Sequence, residues 1–343
     1  MGLAIKDLVP SKEIKIPDLK DKWLVVDTFN LLYQFLTTIR SRDGTPLQDS
    51  KGNITSHLVG LFARTTKLMD EGLKLAFVFD GTPPKLKQEE RERRKALKAV
   101  AQKQYKIAVQ EEDIESMKKF ASRTVSLTKE IIEESKLLVQ ALGLPIIQAP
   151  SEGEAQAAYM VHNGDAYAVV SQDYDSLMHG STTLVRNLSV AGKRKRASKA
   201  SFETIQPEII LLKDLYSNLD INADQFIALG MLVGTDYNKG GIKGIGPKNA
   251  IKLVRLHKDD LETLFKEVKW NDFYTLPWKR VFDTIKDMPV TKEYHLEIKE
   301  IQEDKLKELL IEKHDFSEER VLSTIKKLQS KKDEQKQKTL GDF

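Results

Sequence analysis

The chain has 343 residues, of which 40% are apolar and 31% charged, a composition that predicts a folded protein with a substantial core. The absence of cysteine excludes disulfides and thiolate zinc sites and favours a reducing, intracellular location. The net charge of +4 does not by itself indicate a nucleic-acid partner, and no apolar run, secretion signal or myristoylation signal predicts membrane attachment.

Three continuous apolar runs predict strands buried on both faces, with helical patterns between them. They are WLVVD at 23–27, LAFVFD at 75–80 and AYAVVSQD at 166–173. This pattern is typical of a mostly parallel sheet flanked by helices, the α/β class. Ligands bind beyond the carboxyl ends of such strands. The acids expected at this edge are Asp27, Asp80, Asp173 and Asp175.

A highly charged segment follows the second run and extends to about residue 122. With so few apolar residues, it predicts a helical excursion that faces solvent or a charged partner. Lys87 and Arg94 lie seven residues apart, so a helix would bring them to nearly one face, where they could contact a phosphate. The alternative is a solvated helix with internal pairs between Glu and Arg.

Two further acidic stretches lie later in the chain. Glu152 and Glu154 open a predicted helix, although Ser151 and Glu154 also have the spacing of a capping box. Asp236 follows another helical pattern, where an ordinary turn is the alternative. Taken together with the strand-end acids, they make a set of seven carboxylates whose mutual repulsion calls for a cation.

Magnesium, with manganese as a substitute, suits this oxygen-rich set, and a pair of such ions can promote phosphoryl transfer. The six histidines show no ligand spacing, which argues against a zinc hydrolase. A haloacid-dehalogenase phosphatase also places an Asp-x-Asp pair at a strand end, but on its first strand. Here the first strand ends in DTFN at 27–30, with a single carboxylate, so that alternative fits poorly.

Two basic features predict contacts with a polyanion. GIKGIGPKNA at 241–250 combines close-approach glycines with a Pro that can begin a helix, and either a phosphate grip or a plain interhelical turn would fit. GKRKRASK at 192–199 suits a DNA contact, a nuclear signal or a hairpin tip. The last residues lose apolar periodicity and predict a flexible basic tail.

Several motifs together resemble the flap endonucleases of the XPG/Rad2 structure-specific nuclease family, in their archaeal form. In chain order they are DTFNLLYQFL at 27–36, VFDGTPPKLK at 78–87, APSEGEAQAAY at 149–159, SQDYD at 171–175, LVGTDYN at 232–238 and GIKGIGPKNA at 241–250. The resemblance implies a metal-dependent 5′ flap endonuclease with 5′ exonuclease activity, acting at junctions of duplex and single strand in replication and repair. A non-cutting DNA-binding accessory of the sliding clamp is the alternative from another class.

The resemblance also implies roles for individual residues. The metal ligands would be Asp27, Asp80, Glu152, Glu154, Asp173, Asp175 and Asp236, with Asp80, Asp173, Lys87 and Arg94 nearest the chemistry. DNA contacts would include Tyr33, which stacks on a base, together with Arg40, Ser56, Lys193, Arg194, Lys243, Gly244, Gly246, Lys248 and Arg320. A potassium ion would accompany the glycine turn. Gln337, Leu340 and Phe343 resemble a box that binds the sliding clamp PCNA.

By the same resemblance, the fold is a PIN-like core carrying a helical arch and a C-terminal helix-two-turn-helix lobe, in a monomer that is cytoplasmic if archaeal. The expected divisions are the core at 1–82 and 129–221, the arch at 83–128, the helix-two-turn-helix at 222–260, a closing helical part at 261–330 and the clamp-binding tail at 331–343.

Overall fold

The computed structural model describes residues 3–111, 113–121, 124–195 and 202–341. The strands are β1 (Lys12–Glu13), β2 (Trp23–Asp27), β3 (Lys74–Phe79), β4 (Ile146–Gln148), β5 (Ala168–Val170), β6 (Thr183–Arg186), β7 (Gly192–Lys195), β8 (Phe202–Ile205) and β9 (Glu208–Leu211). The helices of the first half are α1 (Thr28–Thr38), α2 (Ser56–Asp70), α3 (Gln88–Gln110), α4 (Ile114–Ala121), α5 (Lys129–Ala141), α6 (Gly153–His162) and α7 (Asp175–Met178).

The second half is mostly helical. Its helices are α8 (Leu212–Leu219), α9 (Ala223–Val233), α10 (Pro247–His257), α11 (Leu261–Glu267), α12 (Trp270–Phe273), α13 (Trp278–Lys286), α14 (Glu303–Leu306) and α15 (Glu318–Gly341). Short 3₁₀ segments lie at Lys6–Leu8, Ile16–Leu19, Lys85–Lys87 and Leu188–Val190, and a π-helical segment at Lys307–Glu312. No helix in the described part of the chain is long and apolar enough to cross a membrane.

The central sheet has the strand order β1-β9-β6-β5-β2-β3-β4. β2 pairs in parallel with both β3 and β5, and the outer pairs β3/β4 and β5/β6 are parallel as well. Only β9 runs antiparallel to its neighbours, β6 and β1. The expectation of a mostly parallel sheet flanked by helices is confirmed, and it brings the carboxyl ends of β2, β3 and β5 to one edge.

Alternating side chains along the strands explain why the apolar runs are continuous. Val25 and Val78 belong to a core on one face of the sheet, which includes residues of α6 and α9. Val26 and Phe77 belong to a second core, formed with α1, α2 and α5 on the opposite face. Because helices cover both faces, every position of β2, β3 and β5 is buried apart from the first residues of β2 and β3, as in other parallel sheets.

The charged excursion after β3 forms two helices, α3 and α4. The residues of α3 are largely exposed, and the short side chains of Ala101, Ala108 and Ala121 are buried between the helices. Small side chains at a helix contact let two backbones approach without a large apolar core. The contact between α3 and α4 is therefore narrow, and most of the charged side chains of the excursion are exposed to solvent.

The glycine-rich segment lies between α9 and α10, as the sequence predicts. Gly244 has a φ of +88°, which favours glycine, and Gly246 is the residue before Pro247 begins α10. The cluster of bends from 234 to 246 therefore reverses the chain between two packed helices.

Three local expectations are wrong. The third strand begins at Ala168 rather than at residue 166. The capping box from Ser151 to Glu154 does not form, because Glu152 is the N-cap of α6 and no side chain caps that position. α15 continues as helix to Gly341, where a flexible tail was expected from residue 331. Lys, Gln and Glu are strong helix formers, and residues 318–340 include neither Gly nor Pro.

Candidate metal centre and nucleic-acid interface

All seven predicted acids line one cavity of about 670 Å³. Asp27 is the last residue of β2, and Asp80 directly follows β3. Asp173 lies in the turn after β5, where Asp175 begins α7. The acids from the other elements are Glu152 and Glu154 at the start of α6 and Asp236 after α9. The convergence expected from the strand ends is therefore present.

Hydrogen bonds fix the orientation of the strand-end carboxylates. Asp80 Oδ1 accepts from the backbone N–H of Gly153 at 2.7 Å, which joins β3 to the start of α6. Asp27 Oδ2 accepts from the hydroxyl of Ser171 at 3.1 Å, and Asp173 Oδ2 accepts from Asn30 Nδ2 at 3.0 Å. Each bond leaves further lone pairs on the carboxylate free to face the cavity.

Glycine is required directly after Asp80. A Cβ at Gly81 would lie 2.1 Å from the carbonyl oxygen of Ala149 and 2.6 Å from that of Pro150. The backbone N–H of Gly81 also donates to Ser151 O at 2.6 Å. This close approach holds the loop that carries Glu152 against the end of β3.

Two cations of the charged excursion enter the acidic cavity. Lys87 Nζ forms ion pairs with Glu152 Oε1 and, at 3.2 Å, with Asp236 Oδ2. Arg94 Nη2 donates to Asp236 Oδ1 at 2.6 Å. The two residues therefore face the same site, as their spacing predicts. The alternative of internal pairs is also present, since Arg94 Nε donates to Glu90 at 2.7 Å.

Glu90 is a buried acid that the sequence analysis did not single out. Its side chain is 8% exposed and binds Arg93 and Arg94 on α3, together with Lys239 from the turn after α9. It therefore fixes the Arg94 guanidinium beside Asp236. The signal was in the sequence, since Glu90 and Arg94 have the i,i+4 spacing that allows a side-chain pair, but nothing local showed that Glu90 is buried.

Burial in this cavity disfavours the charged form of the carboxyl groups. Burial and the neighbouring Asp27 carboxylate raise the pKa of Asp80 to about 7. Burial also raises the pKa of Asp27 to about 6, and burial together with Asp173 raises that of Asp175 to about 7. The pKa of Glu154 lies well above its usual range because it is buried beside Asp175 and Glu152. A bound cation would favour the charged carboxylates, and so offset both the burial and the mutual repulsion that raise these pKa values.

For Lys87, in contrast, the charged form is favoured. Burial alone disfavours its ammonium group, but Glu154, Glu152 and Asp236 outweigh that effect and raise its pKa. The side chain is only 17% exposed, so a positive charge is held permanently among the acids. Such a fixed charge is suited to stabilising an anion that enters the cavity.

The donor set fits a hard divalent cation. The cavity is lined by the seven predicted carboxylates and by Glu90, and among the described residues it has no sulfur ligand. Magnesium prefers such oxygen ligands and usually keeps several waters, for which a cavity of about 670 Å³ has room. The buried carboxylates with raised pKa values are the structural sign that a positive charge is expected there.

Tyr237 and His179 also contact the acids, and the sequence analysis missed both. The Tyr237 hydroxyl donates to Glu152 Oε2 at 2.6 Å. His179 Nε2 lies 3.9 Å from Glu154 Oε1, and burial lowers the pKa of this imidazole to about 4. Tyr237 lies beside Asp236 in a motif that was considered. His179 follows Asp175 by four residues, a spacing visible in the sequence but discounted because the six histidines showed no ligand pattern.

Tyr33 lies at the mouth of the cavity on α1. Its ring is 39% exposed, and Lys98 Nζ of α3 lies 5.6 Å from the ring centroid. An exposed aromatic face beside a lysine is suited to stacking with a nucleic-acid base. The predicted role of Tyr33 stays a prediction.

Ser56 is a predicted DNA contact whose hydroxyl has partners within the fold. Its side chain is fully buried, and its hydroxyl donates to Ile39 O at 2.7 Å and accepts from Leu47 N–H at 2.8 Å. Both bonds tie the loop after α1 to the start of α2, and the predicted DNA contact stays a prediction. Arg40 is partly exposed and donates to Gly44 O, while Arg320 is exposed on α15.

The glycine turn presents an exposed basic surface. Its exposed members are Lys243, Gly244, Gly246 and Lys248. A Cβ at Gly244 or Gly246 would meet no atom within 4 Å, so both positions face open space. This exposure is compatible with contact to a phosphate backbone, and the predicted contacts stay predictions.

The remaining predicted contacts lie where side chains are not described. Lys193 and Arg194 belong to β7, which pairs with β8 as an antiparallel hairpin. Gln337 and Leu340 lie within α15, and Phe343 is outside the described residues. Their predicted roles stay predictions.

Comparisons with known proteins place this geometry in a family. A model of the XPG N-terminal domain matches residues 4–101, and a model of the XPG I-region matches residues 143–236. Flap endonuclease 1 of Hyperthermus butylicus is 48% identical, covering 96% of this chain and 94% of that protein. Flap endonuclease 1 of Pyrococcus horikoshii is 47% identical, covering 100% of this chain and 98% of that protein.

Solved structures of two related nucleases are also similar to this chain. The flap endonuclease-1 of Methanococcus jannaschii has a TM-score of 0.75 at 38% identity and covers 95% of this chain and 98% of its own. The catalytic core of Rad2 in complex with a DNA substrate has a TM-score of 0.69 at 22% identity, covers 96% of this chain and 100% of its own, and supports the fold alone. Given these full-length similarities and both XPG domains, the chain belongs to the flap endonuclease family of XPG nucleases.

Proposed function

We propose that this protein is a structure-specific 5′ flap endonuclease that also acts as a 5′ exonuclease. It would hydrolyse one phosphodiester at a junction of single-stranded and duplex DNA, in replication (Okazaki fragment maturation) and in repair. The observation that carries the proposal is one cavity holding seven carboxylates and the cations Lys87 and Arg94. Full-length relatives named Flap endonuclease 1 support the same activity.

The acids fit magnesium, with manganese as a substitute. We propose as ligands the set Asp27, Asp80, Glu152, Glu154, Asp173, Asp175 and Asp236. When bound, the metal would act as a Lewis acid on the phosphate and increase the acidity of water at the site. The bonds from Gly153, Ser171 and Asn30 would keep the strand-end carboxylates oriented whether or not metal is present.

Lys87 and Arg94 would bind the scissile phosphate. Both now contact Asp236, so they form one cationic face beside the acids. An entering phosphodiester would offer them anionic oxygens in place of a carboxylate, and the negative charge on those oxygens increases during hydrolysis. Donors already oriented toward developing charge lower the barrier without further reorganisation.

The excursion formed by α3 and α4 would select single-stranded 5′ ends. It corresponds to the proposed arch at 83–128, and Leu97 and Val100 on α3 line the cavity while remaining 53% and 57% exposed. Together with Tyr33, they offer apolar surface on which unpaired bases could stack or rest. Duplex bases are already stacked and cannot use that surface, which favours a flap over a blunt end.

Duplex DNA would be gripped at the proposed helix-two-turn-helix, residues 222–260. Lys243 and Lys248 are exposed at the turn before α10, whose N-terminal amides favour an anion. Contacts of this kind position a duplex without reading its sequence, and a potassium ion at the turn would strengthen them. The grip and the cavity together would set the distance from duplex to cleavage point.

Two further parts of the proposal concern partners and location. Gln337, Leu340 and Phe343 would bind the sliding clamp PCNA through an apolar pocket. The protein would act as a monomer inside the cell, in the cytoplasm of an archaeon. Removing residues 337–343 should abolish stimulation by the clamp and leave cleavage without the clamp unchanged.

An Asp173→Asn substitution tests the metal assignment. It keeps the shape of the side chain but removes the charge, so flap DNA should bind within about threefold of wild type while cleavage falls by about 10³-fold or more. Asp283→Asn, at an exposed position on α13, is the matched control and should leave both quantities unchanged. Unchanged cleavage by Asp173→Asn would contradict the assignment.

A further inference from the structure

His179 is a buried imidazole next to two of the proposed metal ligands. It follows α7 directly, and its side chain is 4% exposed. One oxygen each from Glu152 and Glu154 and a ring nitrogen of His179 lie within 4.8 Å of one another. The two carboxylates lie at the start of α6 and His179 lies at the end of α7, so the three groups meet only in the folded protein.

The tautomer of His179 follows from its other contact. Nδ1 lies 3.1 Å from the carbonyl oxygen of Ile285, in α13. A carbonyl oxygen can only accept, so Nδ1 carries the hydrogen and a neutral ring has its lone pair on Nε2. Metal-binding histidines are commonly held in this way, with the second ring nitrogen donating to a carbonyl or a carboxylate.

The lone pair of Nε2 is directed at acids rather than at a donor. Nε2 lies 3.9 Å from Glu154 Oε1, which is too long for a hydrogen bond. No described residue donates a hydrogen bond to Nε2, so its lone pair is available to a ligand. An ion between the two groups would satisfy both.

We propose that His179 is a nitrogen ligand of the metal centre, where it holds a first-row transition ion such as Mn²⁺ together with Glu152 and Glu154. The inference rests on the proposed metal-dependent nuclease. Imidazole binds Mn²⁺, Co²⁺ and Zn²⁺ more readily than Mg²⁺, which prefers oxygen. His179 would therefore shift the metal preference of this centre toward transition ions.

The existing contacts of Glu152 compete with an ion for its two oxygens. Its two oxygens pair with Lys87 and Tyr237, so an entering ion must share Glu152 with the lysine ammonium. Among the described residues, neither Glu154 nor His179 has a cation at hydrogen-bonding distance, although the Lys87 charge still acts on Glu154. The ion would therefore approach from the side of Glu154 and His179.

The test is pulsed EPR of the full-length protein, freed of metal and loaded with less than one equivalent of Mn²⁺, without DNA. Coordinated imidazole should give ¹⁴N modulation in wild type, and His179→Phe should lose it. His162→Gln is the matched control, because His162 is exposed on neighbouring α6, and it should keep the modulation. Absence of ¹⁴N modulation in wild type, or its persistence in His179→Phe, would overturn the proposal.

The affinities for Mn²⁺ and Mg²⁺ distinguish a metal ligand from a residue that has only a structural role. In His179→Phe and His179→Gln, Mn²⁺ affinity should fall by about tenfold or more while Mg²⁺ affinity changes by less than about threefold. Equal losses for both ions would overturn the proposal. Junction cleavage in Mg²⁺, measured on the same wild-type preparation, tests the proposed function separately. Cleavage without nitrogen modulation refutes only the ligand, and modulation without cleavage refutes only the nuclease.

Discussion

Replacing Asp80 with Asn should make the metal-free protein more stable. Burial and the nearby Asp27 raise the pKa of Asp80 from 3.8 to about 7. Between these two values the folded state binds more protons than the unfolded state, so stability decreases as pH rises through this window. At pH 8 the ionised carboxylate costs the folded state about 4 kcal/mol, because one pKa unit corresponds to about 1.4 kcal/mol.

Asn removes this cost and preserves the local geometry. Its side-chain oxygen can still accept from the Gly153 N–H, which now bonds Asp80 at 2.7 Å. In the variant, neighbouring acids ionise more easily and recover part of the difference. We therefore expect a gain of about 2 to 4 kcal/mol at pH 8, and almost none at pH 4, where wild-type Asp80 is protonated in the folded state.

Urea unfolding of EDTA-treated protein between pH 4 and pH 8.5 measures this difference. Asp283→Asn, at an exposed site, is the control and should show no gain. Saturating Mg²⁺ should cancel much or all of the gain, since an ion at 100 times its Kd stabilises wild type by about 2.7 kcal/mol. A metal-free Asp80→Asn protein that is less stable than wild type at pH 8, or a gain that does not depend on pH, would refute the reasoning.

Three other substitutions test separate contacts. Gly81→Ala should lower stability by about 1 to 3 kcal/mol and slow cleavage, because its Cβ would lie 2.1 Å from Ala149 O; thermal unfolding and a flap assay measure both. Lys87→Ala should slow single-turnover cleavage by about 10²- to 10³-fold with DNA affinity little changed in fluorescence anisotropy, and a purely affinity-based loss would contradict the proposed phosphate contact. Burial opposes ionisation of Glu134, but its contacts with His57, Lys313 and His314 lower its pKa from 4.5 to about 2, so its contribution to stability is complete above pH 4.5 and is lost toward pH 2. Glu134→Gln should therefore destabilise by about 3 kcal/mol at pH 7 and hardly at pH 2.5, and urea unfolding that shows a loss independent of pH would contradict this.

The sheet and the acid cluster could be predicted because their signals are local. Val25 and Val26 belong to opposite cores, so a strand covered on both faces leaves a continuous apolar run that ends at Asp27. Parallel pairing then brings the acids after β2, β3 and β5 to one edge. The edge strand β1 has only two residues and pairs antiparallel with β9. Strands this short have no clear sequence pattern, so this end of the sheet could not be predicted.

The contacts that were missed depend on distant parts of the chain. His179 is oriented by Ile285, 106 residues later, and no local period reveals that contact. The hydroxyl of Ser56, a predicted DNA contact, is hydrogen-bonded to Ile39 and Leu47, which the sequence does not reveal. A motif identifies which residue types are present, whereas burial and partners decide whether a side chain can reach a ligand.

The most direct test of the proposed function is cleavage of a labelled duplex that carries both a 5′ and a 3′ flap. The purified chain should be incubated with Mg²⁺ and then with EDTA, beside single-stranded and blunt-duplex controls, and the product ends mapped. We expect Mg²⁺-dependent cutting at the junction that leaves a nick which a ligase can seal. Tight binding of the junction without cutting, in both Mg²⁺ and Mn²⁺, would contradict the nuclease and favour a DNA-binding accessory.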